Sequence, residues 1–318
     1  MPTMLAVTAR EWGAPEVLTP IEIERPEPGL TEILVRVHAA GVNPVDWKTR
    51  ASGAFIAWGE VPIVGWDVSG TVEAVGPGVT LFEPGDEVFG MPAFPRQAGA
   101  YAEFVVAPSR QFTRKPGNIS HIEAAALPLA GLTAWQALID TADLRAGQRV
   151  LIHAAAGGVG HFAVQIAKAR GAYVIGTARA DNHEFLREIG ADEVIDYTAV
   201  DFGAVLREID IVLDNVGGDY GDRSLPVLRR GGHLVTLPGA DGMPDAAEAD
   251  ARGIRISWPI VEPDSAGLAA IAELVAAGKL RAEIDRVLPL TDAAKAHAYG
   301  ETGRTRGKIV LQVAEPGV

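Results

Sequence analysis

The chain has 318 residues, 48% of them apolar and 22% charged, which allows about two domains with cores of their own and excludes a disordered chain. Cysteine is absent, which excludes disulfides and every thiolate metal site. Acids outnumber bases 41 to 28, so no basic surplus exists to neutralise a nucleic-acid backbone or to hold an anionic membrane.

The opening MPTMLAVTAREWG lacks the basic start and long apolar stretch of a signal peptide. The first third then reads as β: LAVTA, EILVRVHAAGV, TVEAVG, DEVFG and YAEFVVAP are short, partly alternating apolar runs broken by PEPG, GPG and EPGD. Few helical patterns occur there. Near residue 120 the pattern changes. HIEAAALPLAGLTAWQALID predicts one helical stretch, with Ser120 as N-cap and Glu123 three positions on. This is the most apolar region of the chain, and it is interrupted and too short to span a bilayer. A cytoplasmic protein is expected.

From residue 149 strands and helices alternate: RVLIHA, HFAVQIAKAR, AYVIGTA, NHEFLREIG, EVIDY, DFGAVLRE, IDIVLDNV, GDRSLPVLRR, HLVTLPG and GIRISW. That order predicts an α/β fold with a doubly wound parallel (Rossmann) sheet. VLIHA and IVLDNV are nearly continuous apolar runs, as strands buried on both faces require. A helix SAGLAAIAELVAAG follows, and the tail returns to β character in RAEIDRVLPL and GKIVLQV around the helix DAAKAHAYG. The expected division is a β-rich catalytic domain of residues 1–122 and 282–318, and a dinucleotide-binding domain of residues 123–281, with the active site in the cleft between them.

The strongest motif is Ala155-Ala156-Gly157-Gly158-Val159-Gly160, a GxGxxG fingerprint whose first glycine is replaced by Ala155. Gly157 gives backbone access to a pyrophosphate, Gly160 lets the helix sit close on the sheet, and the helix start supplies N–H groups and a dipole for phosphates. A glycine cluster alone is usually a turn; the strand–turn–helix–strand context is what makes this one a nucleotide loop. The second strand ends Ile175-Gly176-Thr177-Ala178-Arg179. Thr177 falls where NAD sites place an acid, and Arg179 follows it. A neutral hydroxyl plus an arginine suits a 2′-phosphate, and hence NADPH. Asp181 lies beyond, placed either to serve NAD or to cap the next helix. Arg179 alone also reads as a solvated surface arginine.

Several runs together resemble the medium-chain dehydrogenase/reductase superfamily, in its zinc-free quinone-oxidoreductase branch. They are Ala40-Gly41-Val42-Asn43-Pro44-Val45-Asp46-Trp47-Lys48, Gly65-Trp66-Asp67-Val68-Ser69-Gly70, Gly85-Asp86-Glu87-Val88-Phe89-Gly90, Leu129-Ala130-Gly131-Leu132-Thr133-Ala134, the glycine turn and the closing Gly307-Lys308-Ile309-Val310-Leu311. The resemblance covers nearly the whole chain. It implies that the β-rich domain is GroES-like and that the subunits form a homodimer through GIRISW. Zinc-dependent relatives carry a Cys near the position of Asn43 and a His at that of Trp66, so no metal is expected. The seven histidines show no HxxxH or HxH pair.

The resemblance implies further cofactor contacts at Thr133, Tyr197 (against the 2′-phosphate), Asn215, Val216, Gly217 and Gly239, with Lys308 of the closing run among them. Each also has a plainer reading, since strand-end Asn and Gly are common turn formers. Asn43 and Lys48 are placed at the substrate carbonyl. Lys48 alternatively pairs with Asp46 as a structural lysine, and Asp46 and Asp67 read as proton relays or as salt-bridge and turn-capping groups. Phe55, Trp58, Trp66 and Phe94 are candidate apolar walls for a flat substrate, although core packing is the commoner use of such residues.

Without a Lewis acid, conjugated acceptors are the easier substrates: hydride from NADPH adds to an enone or a quinone, and the resulting charge spreads onto oxygen. The expected activity is reduction of a quinone or an α,β-unsaturated carbonyl. The alternatives are an enoyl-thioester reductase and a non-catalytic NADPH-binding sensor or structural protein.

Overall fold

A computed structural model describes residues 2–53, 61–239 and 242–313. In chain order the elements are β1 (Thr3–Ala9), β2 (Leu18–Glu24), β3 (Glu32–Val42), α1 (Pro44–Ser52), β4 (Asp67–Val75), β5 (Glu87–Gly90), β6 (Phe104–Pro108), β7 (Phe112–Arg114), α2 (His121–Ala125) and α3 (Pro128–Trp135). There follow β8 (Arg149–Ile152), α4 (Gly158–Ala169), β9 (Tyr173–Ala178), α5 (His183–Glu188), β10 (Glu193–Asp196), α6 (Phe202–Val205), β11 (Ile209–Asp214), α7 (Tyr220–Ser224), β12 (Leu228–Thr236), α8 (Ala246–Arg252) and β13 (Arg255–Ser257). The chain closes with α9 (Ser265–Ala276), β14 (Ile284–Pro289), α10 (Ala293–Gly300) and β15 (Lys308–Gln312). Among the described residues no helix is long and apolar enough to cross a membrane.

The chain divides into two compact units, Met1–Leu132 with Glu262–Val318, and Thr133–Val261. The first holds a β1–β2 hairpin and a larger sheet ordered β14-β15-β3-β4-β5-β7, with β6 also on β3. All its pairings are antiparallel except β14–β15. Val35, Val37, Val68, Val88, Val105 and Leu311 meet in one buried cluster. Burying each such side chain contributes about 1.5–3 kcal/mol.

The divisions lie at 132/133 and 261/262 rather than at 122/123 and 281/282, because α2 and α9 pack on the first unit's sheet. Ala125 and Ala126 share a core with Ala39 and Val310. The Asn118 amide donates to the Val275 carbonyl at 3.1 Å, and the Thr113 hydroxyl to that of Ser265 at 3.0 Å.

The second unit is a six-stranded sheet ordered β10-β9-β8-β11-β12-β13, with every neighbouring pair parallel. This is the doubly wound order, in which the order of the strands reverses between β8 and β11; such folds take their ligands there, beyond the strands' carboxyl ends.

The long helix expected after Ser120 is broken into α2, α3 and a wider turn at Gln136–Thr141. Its cap is as expected: Glu123 N donates to Ser120 Oγ at 3.2 Å and Ser120 N to Glu123 Oε2 at 2.8 Å. Pro128 lacks the N–H that would continue the first segment and opens the next. Pro226 likewise ends α7 early, and Leu228–Arg230, expected as helix, begin β12. Two helices were not expected. In α1, Pro44 occupies the first turn and Asp46 accepts from Asn43 N. In α8, Asp245 accepts from Ala247 N and Glu248 N, and Gly253 ends the helix.

Candidate active site

In the second unit the turn from β8 to α4 carries the glycine motif. A Cβ on Gly160 would stand 2.3 Å from the Ala154 carbonyl oxygen, so only glycine lets α4 approach the end of β8 this closely. Gly157 is the N-cap residue, and a Cβ there would meet nothing nearer than that same oxygen at 3.3 Å. Gly158, Val159 and Gly160 form the first turn, whose N–H groups have no partner further back in the helix. Ala155 is buried, with its N–H donating to the Thr177 carbonyl at 3.0 Å. The left-handed residue in this turn is Ala154, at φ 47°.

In this unit one expected cofactor contact is corrected. Thr177 points into the core, where its hydroxyl lies 3.1 Å from His153 Nδ1. His153 is itself buried, and burial pushes its imidazole down to about 3, so this pair is a neutral internal bond. The strand's exposed end begins one residue past Ala178, at Arg179. Its Nε donates to Tyr197 Oη at 3.2 Å, which joins a residue read from strand register to one implied by resemblance. Asp181 is exposed in the turn Ala180–Asn182.

At the end of β11, Asp214 Oδ1 accepts from Val216 N at 2.8 Å and Gly217 N at 3.1 Å, which shapes the loop around Asn215. Asn215 Nδ2 donates to the His153 carbonyl at 2.7 Å. Its Oδ1 is buried with no hydrogen-bond partner among the described residues. Val216 is exposed, and Gly239 lies just past β12. Thr133 is half-buried in α3. The residues of this unit fit a dinucleotide: first-turn N–H groups and a glycine at the helix start, a guanidinium beside a phenol, and a carbonyl oxygen at a strand end with no partner among the described residues.

In the first unit Asn43, though not Lys48, lies in a buried polar cluster. Asn43 is 1% exposed at the head of α1. Its Nδ2 donates to Asp67 Oδ2 at 2.8 Å, and its Oδ1 accepts from Lys308 Nζ. Lys308 also pairs with Asp67 Oδ2 at 3.3 Å, and Asp67 Oδ1 takes the Leu129 N–H at 2.6 Å. Lys308 is therefore corrected from a cofactor contact to the buried counter-ion of Asp67.

Asp46 accepts from Asn43 N at 2.6 Å and from Tyr101 Oη at 3.2 Å. Burial raises it to about 8, so it is largely protonated at neutral pH. Tyr101 Oη stands 3.0 Å from His297 Nε2, and burial pushes His297 down to about 3. Arg50, also buried, pairs with Glu301 at 2.5 Å. Lys48 is exposed and makes no ion pair among the described residues; Asp46 is occupied by Asn43 and Tyr101 instead.

Of the expected substrate walls, Phe55 and Trp58 lie outside the described residues. Trp66 is wholly buried, its Nε1 donating to the Arg96 carbonyl at 2.7 Å, and so is corrected from a wall to core. It packs edge-on to the half-buried Phe94 at 5.3 Å between ring centres. Sequence reading missed Tyr101, His297 and Arg50, which only long-range packing brings to the cluster.

Residues 29–117 match the family model described as the alcohol dehydrogenase GroES-like domain, and residues 189–311 the one described as zinc-binding dehydrogenase. A mitochondrial NAD(P)H oxidoreductase of Danio rerio is 34% identical, over 89% of this chain and 84% of its own. A 2-haloacrylate reductase of a Burkholderia species is 34% identical, over 97% of this chain and 98% of its own. The solved quinone oxidoreductase from Coxiella burnetii superposes with a TM-score of 0.92 at 38% identity, covering 98% of this chain and 100% of that one.

The chain belongs to the zinc-free quinone-oxidoreductase branch of the medium-chain dehydrogenase/reductase superfamily. It is an oxidoreductase. At the two ligand positions stand Asn43, clamped between Asp67 and Lys308, and Trp66, packed in the core. Zinc does not fit these two positions. Among the described residues no group of three His, Asp or Glu is placed to hold a metal ion.

Proposed function

We propose that this reductase uses NADPH to reduce a quinone or another conjugated carbonyl compound. The observation that carries the cofactor choice is Arg179 beside Tyr197 at the carboxyl ends of β9 and β10. A guanidinium offers several directed donors and a permanent charge, which suits a ribose 2′-phosphate. The first-turn N–H groups of α4 hold the pyrophosphate, and Asn215 Oδ1 accepts from a ribose hydroxyl. When bound, the cofactor supplies hydride. The names of the Burkholderia and Coxiella relatives support an acceptor of the acrylate or quinone class. An acceptor whose incoming charge delocalises onto its own oxygen suits a chain whose ligand positions hold an amide and an indole. Asn43 serves that oxygen as a hydrogen-bond donor.

The test is oxidation of NADPH and NADH against a benzoquinone, a naphthoquinone, a linear enone and crotonyl-thioester. Turnover of the quinones or the enone, faster with NADPH, is expected. Turnover of the thioester alone would favour the enoyl-thioester alternative, and none at all the non-catalytic one.

Assembly belongs to the same proposal. β13 is an edge strand, and Trp258 and Ile260 just beyond it are 45% and 56% exposed. An edge with exposed apolar side chains invites pairing with a second copy, giving a homodimer. Sedimentation at micromolar concentration checks this.

A further inference from the structure

Asn43 lies between a buried acid and a buried base. Asp67 and Lys308 are 0% and 2% exposed, and each bonds one end of the same carboxamide. Lysine offers only donors and a carboxylate only acceptors, so the pair dictates which end is oxygen and which is nitrogen. A carboxamide between two hydroxyls can turn over at little cost. Between opposite full charges it meets like polarity at both ends if it turns.

The rest of the surroundings are built to hold Asp67 still. Its Oδ1 takes the Leu129 N–H at the start of α3, so the carboxylate is fixed at a helix N-terminus as well as by Lys308. Gly41 leaves it room: a Cβ there would lie 2.5 Å from Asp67 Oδ2 and 2.4 Å from the Ala125 carbonyl. A buried ion pair is seldom more stabilising than apolar side chains of the same size. What it adds here is direction.

We propose that Asp67 and Lys308 are positioning residues that lock the Asn43 carboxamide in one orientation, with its second Nδ2 hydrogen as the donor offered to the acceptor's oxygen. The lock itself is independent of the reaction; its use in turnover rests on the reductase reading above.

The chain contains four asparagines, at 43, 118, 182 and 215, so labelling asparagine side chains with 15N gives four amide pairs that single substitutions assign. In the wild-type chain, the Asn43 amide hydrogen bonded to Asp67 should exchange with water about 100-fold more slowly than those of the half-exposed Asn182. In Lys308→Met it should exchange at least about tenfold faster than in wild type, and kcat with a quinone should fall roughly 30-fold while KM for NADPH moves less than about threefold. Lys308→Arg, which keeps the charge, should restore slow exchange and most of kcat. The proposal is overturned if Lys308→Met leaves the Asn43 amide unchanged, whatever happens to kcat. If Lys308→Met does not fold, the wild-type rate decides: an Asn43 amide exchanging as fast as Asn182 overturns the lock. A protected Asn43 amide in a chain that reduces no acceptor supports the lock and sinks the reductase reading instead.

Discussion

Two polar regions of this protein solve opposite problems. At the strand ends of the second unit, Arg179 and Tyr197 are exposed and bond each other, and Asn215 Oδ1 is buried without a partner among the described residues. Around Asn43 in the first unit, Asp67 receives three donors and both ends of the Asn43 carboxamide are bonded. Leaving a buried acceptor unpaired costs on the order of 1–3 kcal/mol, so a fold keeps one where a ligand will meet it. Groups that must only keep a direction are satisfied from within. The contrast stops at Asp46, however. On its far side Asp46 Oδ1, Arg50 Nε and Nη1, and His297 Nδ1 also lack partners among the described residues.

The closed region around Asn43 should respond most strongly to substitution. Asp67→Ala strands Lys308 as a buried charge, and should cost about 3–5 kcal/mol in denaturant unfolding. A loss below about 1 kcal/mol would mean that the cluster is hydrated and not closed. At the open region the effect should fall on affinity alone. Arg179→Ala should weaken NADPH binding roughly tenfold, leave NADH binding unchanged and leave the unfolding midpoint where it was. Calorimetric titration with both cofactors checks this, and equal wild-type affinities would remove the 2′-phosphate from the account.

Asp46 should contribute less, and only as pH changes. Its folded value near 8 lies above its ordinary 3.8, so its contribution to stability is complete below that lower value and is lost as pH rises through the higher one. The buried histidines act the other way. His153 and His297 are held near 3, so their contribution is present above 6.5 and is lost as pH falls towards those folded values. Between pH about 6.5 and 8 the Asp46 term therefore stands apart, and wild-type stability should decline across that window. Asp46→Asn, which cannot ionise, should flatten the decline; equal slopes in the two proteins would show that Asp46 is already charged at neutral pH.

What the sequence discloses is what neighbouring residues decide. The Ser120–Glu123 capping box, the βα alternation and Gly160 each depend on a few adjacent positions, and each has its expected form. Pro128 and Pro226 were visible as well, yet the apolar periodicity around them masked the breaks that they impose. α8 had its signals, an Asp cap and a Gly stop in DAAEADARG, without an apolar stripe to draw attention to them. Strand register alone does not say which residue is the last to face inward, so it puts Thr177 at the cofactor although its side chain lies in the core. The Asn43 cluster was the least legible. Lys308 lies 241 residues from Asp67, and His297 lies 196 from Tyr101, so no local pattern links them.

The antiparallel pairing of β15 with β3, which sets Ile309 opposite Val42, has a consequence for how the molecule is made. Synthesis proceeds from the amino end, so the half of the sheet that contains Asn43 and Asp67 emerges from the ribosome long before the lysine that neutralises it. Until residue 308 is in place, that carboxylate has every reason to remain in water. A nascent chain halted short of this strand should therefore be cut readily by proteases near Asp67, while the six-stranded parallel sheet has all of its strands in hand.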